Sequence, residues 1–177
     1  MPVPLQSGSS WKLVLVPIYL LFPLYLLPWS MQAADQALGP LDLLFSYSPQ
    51  FAYEHLQSFG PEGRVAYART SLYIDTAYPL VYSALFIVLL IQLFKLNDWA
   101  HAPGAWLSFT PLLILGFDFA ENASILFMLE AFPGRHDSVA GLASRFTSLK
   151  WLCVGGVLLL ATALAVRAGW KRTVKTG

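Results

Sequence analysis

Apolar residues gather into four stretches along the chain, over about residues 11–29, 72–94, 105–129 and 147–166, with the polar positions collected between them. Each stretch approaches or exceeds the roughly 20 residues that a helix needs to cross a bilayer. Backbone polar groups must be satisfied internally in hydrocarbon, so helices are the expected form. No segment shows the ten-residue alternation of a membrane β-barrel. The pattern predicts an all-α, integral membrane four-helix bundle in one transmembrane domain, residues 1–177. Tryptophans mark the span ends: Trp11 and Trp29, Trp99 and Trp106, Trp151 and Trp170, where indole rings sit among headgroups.

The connections differ in length. Residues 96–104 form a short turn, which makes spans two and three antiparallel neighbours. The first connection, residues 30–71, is long and not of low complexity. Within it Ser48 before Pro49 reads as an N-cap with proline at the first helical position. Ala52, Leu56 and Phe59 share one face and Gly60-Pro61 closes the segment, so a short amphipathic helix is expected. Beyond it one long helix should run from about Glu62 to Leu96, bent at Pro79. The last span should begin early, at Asp137 or Ser138. Its Ala140, Ser144 and Ser148 repeat every four residues, with Gly155-Gly156 beyond, a spacing that lets helices approach closely.

Composition agrees with this pattern. The 177 residues are 56% hydrophobic and only 12% charged, against about 25% charged in soluble domains. The net charge of +1 offers no basic face, so nucleic acid is not an expected partner. Lys12, Lys95, Arg167, Lys171, Arg172 and Lys175 fall on one side, and Arg64, Arg69, Arg135, Arg145 and Lys150 on the other. Four of the first group cluster at the exit of the last span, which places both termini in the cytoplasm. The first span, interrupted by Pro17, Pro23 and Pro28, reads as a membrane crossing rather than a cleaved signal.

The informative residues are polar ones at membrane depth. Asp118, Glu121 and Asn122 lie three and four apart in the third span and share a helix face. On the second, Arg64, Ser71, Asp75, Tyr78 and Tyr82 fall within about 40° of one line. Helical rise puts Asp75 about 5 Å, Glu121 about 12 Å and Asp118 about 18 Å from the outer surface. Carboxyl groups at such depth face the bundle interior and mark function, or hold helices together. The functional reading is a pocket opening to the outer leaflet. Asp118 and Glu121 are its acid/base pair, Asn122 their orienter, Asp75, Tyr78 and Tyr82 its wall, and Lys150 its mouth.

His55, His101 and His136 all lie in connections, which argues against haem, and no zinc or nucleotide fingerprint appears. No cofactor and no metal are expected. Cys153 reads as a packing residue.

The layout resembles the EXPERA-type membrane proteins, a group of sterol isomerases and sterol-binding proteins. The corresponding residues are Asp35 after the first span and Asp75 before Pro79, while Asp118-Phe119-Ala120-Glu121-Asn122 is a departure. The resemblance implies binding of a hydrophobic small molecule; a lipid-, sterol- or isoprenoid-like one is expected, and the carboxyl pair is what would isomerise it by acid/base chemistry. The other reading is a non-catalytic subunit of a larger assembly with other membrane proteins, supported by the 15% aromatic content. A proton path ranks last, since the inner half of the bundle is poor in polar groups.

Overall fold

The computed structural model describes residues 39–176 together with Leu21 and Leu24. The expected first span, apart from those two leucines, and Asp35 lie outside the described residues. The described chain is helical, without strands: α1 (Pro49–Ser58), α2 (Gly60–Leu96), α3 (Pro111–Ala131) and α4 (Asp137–Thr176), with short 3₁₀ turns at Leu41–Leu43 and Pro103–Phe109.

Local chemistry sets the ends. Ser48 Oγ accepts a hydrogen bond from Phe51 N, and Pro49 occupies the first helical position of α1. Gly60, at φ +66°, redirects the chain into α2. At the other end of α2, Asp98 adopts φ +61°, and Trp99 N donates back to Phe94 O at 2.9 Å. This left-handed closure satisfies the last carbonyls of the helix. The third stretch enters through the 3₁₀ turn Pro103–Phe109 and becomes α-helical only at Pro111.

Three helical stretches, Gly60–Leu96, Pro103–Ala131 and Asp137–Lys171, are long and apolar enough to cross a membrane, as an integral membrane protein requires. α3 packs against both α2 and α4. Leu80, Leu113, Phe127, Leu152 and Leu159 point outward, where lipid rather than water suits them.

Two apolar clusters sit one at each end. The first joins α1 and α2 to α3 and α4 through Tyr53, Leu56, Tyr67, Ile125, Met128 and Ala140. The second joins α2, α3 and α4 near the α2–α3 turn through Leu90, Phe94, Ile114, Val157 and Leu164. There Asn97 Nδ2 bridges Leu93 O and Leu164 O, and Lys171 Nζ binds Asn97 O and Asp98 Oδ2, both at 2.9 Å. Between the two clusters lies a layer of polar side chains.

The segment from Gly39 to Ser48 crosses the N-terminal half of α4 as a strap. Leu41 N donates to Tyr67 Oη (3.0 Å) and Tyr47 N to Ser144 Oγ (2.9 Å). Ser148 Oγ donates to Phe45 O (2.8 Å), and His55 Nε2 to Gly39 O (2.8 Å). Ser144 and Ser148 of the small-residue face thus bind the strap, while Ala140 packs against α1.

Candidate functional site

Pro79 is the origin of the polar layer. It is buried within α2 and has no N–H, so the carbonyl four residues before it, Asp75 O, loses its helical donor. Asn122 of α3 supplies one: Nδ2 donates to Asp75 O at 2.9 Å and to Asp118 Oδ1 at 3.0 Å. Tyr82, one turn beyond the proline, donates its hydroxyl to Asp118 Oδ2. Both oxygens of Asp118 are therefore engaged, one by α2 and one by its own helix, and the residue is 7% exposed.

Glu121 takes a different partner set. Three residues along a helix amount to a rotation of about 60° from a shared line, enough to turn Glu121 toward α4. There Lys150 Nζ lies 2.7 Å from Oε2, and Thr147 Oγ1 donates to Oε1. Glu121 is 0% and Lys150 6% exposed. Lys150 also donates to Asp42 O (3.3 Å), and Trp151 Nε1 donates to the same carbonyl (3.2 Å). Lys150 therefore points inward and ties the strap to the bundle.

A cavity of about 290 Å³ lies among α2, α3, α4 and the strap, at the small end of the range for ligand sites. Along the helices its lining passes from polar to apolar: Asp75 precedes Phe86 on α2 and Lys150 precedes Val154 and Leu158 on α4, with Asp42 supplied by the strap and Asp118 beside Tyr82 midway. Tyr78 and Tyr82 stand along the wall, with ring centroids 5.3 Å apart and planes near perpendicular. Trp151 closes the strap side.

Of the residues singled out in the sequence, Asp75, Tyr78, Tyr82, Asp118 and Lys150 line one cavity. Glu121 and Asn122 do not line it. They stand behind the wall, buried, and hold Lys150 and Asp118 in place. Arg64 of the same α2 stripe lies apart: its Nη1 donates to Leu56 O, and its guanidinium stacks 4.0 Å from the Phe132 ring.

The strap brings Asp42, which the sequence reading left out. Its Oδ1 is buried and accepts no hydrogen bond. Burial pushes its carboxyl above the ordinary value of 3.8, and the Lys150 ammonium opposes that rise. A weak signal was present: Asp42 is an acid inside the otherwise apolar run Leu41–Leu44. Beside it the Tyr47 phenol is also pushed upward, mainly by burial.

Comparison of the chain with protein families, with curated proteins and with solved structures finds no match.

Proposed function

We propose that the chain is an integral membrane four-helix bundle that binds a lipid-, sterol- or isoprenoid-like small molecule in this cavity. Its first span is the stretch over residues 11–29, both termini face the cytoplasm, and α1 lies as an amphipathic helix at the outer surface with the strap. The observation that carries the reading is the mixed lining of the cavity. Phe86, Val154 and Leu158 supply apolar lining, while Asp42, Asp75, Asp118 and Lys150 supply polar groups to the same cavity. Polar groups placed so deep are costly unless used or fully paired. Asp42 Oδ1 is buried without a partner.

Acid/base isomerisation of the bound molecule is the catalytic form of this reading. Asp118 is then the carboxyl that meets the ligand, and Tyr82 the hydroxyl that shares a proton with it. Glu121 serves by fixing Lys150. Membrane lipids are the natural source of such a molecule.

Native mass spectrometry of the protein, extracted gently from its own membrane, tests the binding. A discrete adduct of a few hundred daltons is expected, lost in Val154→Trp, which fills the apolar end. A folded protein carrying no adduct, or one that Val154→Trp leaves unchanged, would refute the reading.

A further inference from the structure

We propose that the polar end of this cavity selects a primary ammonium carried on an amphiphile. The proposal rests on the reading of the cavity as a hydrophobic-ligand site and names the head group that site would take.

The argument begins with charge. Three carboxyl groups, Asp42, Asp75 and Asp118, line the cavity beside one cation, Lys150. That cation is already matched: its Nζ lies 2.7 Å from Glu121 Oε2, and a further donor bond goes to the backbone oxygen of Asp42. The three aspartates therefore have no cation of their own in the cavity wall. An anionic head would meet three acids and a lysine already paired with Glu121.

Hydrogen-bond capacity points the same way. Asp118 accepts from Tyr82 and Asn122, whereas Asp42 Oδ1 is buried and accepts nothing. The polar lining thus holds an acceptor, Asp42 Oδ1, that no protein donor reaches. An ammonium carries three N–H donors and no acceptor, the complement of such a site. The flanking rings of Tyr78, Tyr82, Phe86 and Trp151 add faces on which a cation is favoured. A metal ion fits less well. Among the described residues no three His, Cys, Asp or Glu side chains stand close enough to hold a metal ion. The apolar end accounts for the rest of the ligand, an alkyl or isoprenoid chain beside Phe86, Val154 and Leu158.

Two sources present this chemistry, an aminolipid headgroup and a free lipophilic amine, and a ligand series separates them. The purified full chain is placed in phosphatidylcholine nanodiscs and titrated with dodecylamine, dodecyltrimethylammonium, dodecanol and dodecanoate. Dodecylamine is expected to bind about tenfold more tightly than each of the others, the quaternary amine included, because that head keeps the charge and lacks the N–H donors. Asp42→Asn should weaken dodecylamine about tenfold and leave dodecanol within about twofold. Exchange of part of the phosphatidylcholine for phosphatidylethanolamine identifies the source. Suppressed dodecylamine binding assigns the site to the lipid headgroup, and unchanged binding assigns it to a free amine.

Dodecanol binding as tightly as dodecylamine would overturn the proposal, the acids then acting as neutral partners for a hydroxyl. Tighter dodecanoate would overturn it in favour of Lys150 as the recognition group. Equal binding of the quaternary and primary amines would reduce the site to a nonspecific negative field. In these three outcomes the hydrophobic-ligand reading survives, whereas no binding by any of the four compounds would remove both. The ligand series is run on the unmodified chain, so the answer does not depend on a variant folding.

Discussion

At the residue scale the site turns on a proline and the asparagine that answers it. Pro79 frees Asp75 O, and Asn122 spends one amide hydrogen on that carbonyl and the other on Asp118. Asn122→Leu keeps the volume roughly constant and removes both donors at once. It should lower stability by about 1–3 kcal/mol, the usual cost of leaving buried acceptors unpaired, read as a lowered thermal midpoint in detergent. An unchanged midpoint would mean that another donor reaches Asp75 O. Asp42 offers a test by pH. Its carboxyl is raised by burial, against the pull of Lys150, with Glu121, Asp75 and Asp118 also near. The folded form thus binds this proton more tightly than the unfolded chain does. That contribution is present in full below the unfolded value and disappears as pH rises through the folded one. The midpoint of the native protein relative to Asp42→Asn should therefore fall as pH rises above the ordinary carboxyl value of 3.8; a flat difference would contradict it.

At the scale of elements, two attachments hold the cavity open. One is the ion pair between α3 and α4. Removing a single partner of a buried pair strands a charge and costs about 3–5 kcal/mol, whereas replacing both with neutral groups is far milder. Lys150→Met should thus destabilise strongly, and adding Glu121→Gln should restore much of the loss, a coupling that a double-mutant cycle measures. Additive effects would show that the pair contributes little. The other attachment is the strap. Tyr67→Phe removes the buried acceptor for Leu41 N while leaving the ring in place. Amide exchange over residues 41–47 should then quicken by about one order of magnitude, corresponding to about 1.4 kcal/mol, while the middle of α3 keeps its protection. Ser144 and Ser148 supply the neighbouring anchors, so the loss is partial.

At the scale of the molecule, the layout is a polar layer held between two apolar clusters, inside helices whose outer surfaces are apolar as well. Polar groups in such a setting have no water to fall back on, and their pairing fixes how the helices meet. Three crossing helices put the α2–α3 turn and the start of α4 on opposite membrane faces. With Cys153→Ser as background, single cysteines at Asp98 and Ser138 should be labelled by an impermeant maleimide from opposite sides only. Labelling of both from one side would refute the crossing arrangement.

Much of this architecture is legible along the chain because it depends on neighbours in sequence. The Ser48-Pro49 cap, the passage of α2 through Pro79 and the start of α4 at Asp137 are local choices of backbone and side chain. The common face of Asp118, Glu121 and Asn122 follows from helical spacing alone. Periodicity stops short of saying which of them meets the cavity. That depends on the flanking helices: Tyr82 on α2 draws Asp118 forward, and Thr147 with Lys150 on α4 draws Glu121 aside. Trp151 shows the same limit: a span-end marker by sequence, it binds Asp42 O and lines the cavity. Asp42 itself lies 108 residues from Lys150, in a turn with no repeating pattern, so only long-range packing could deliver it. The sequence by itself determined that the chain belongs in lipid and which helix faces are polar, because hydropathy and helical pitch are local properties. The tertiary structure alone decided which acids share a cavity and which cation is already taken, because ion pairs and cavities are made by helices meeting across the fold.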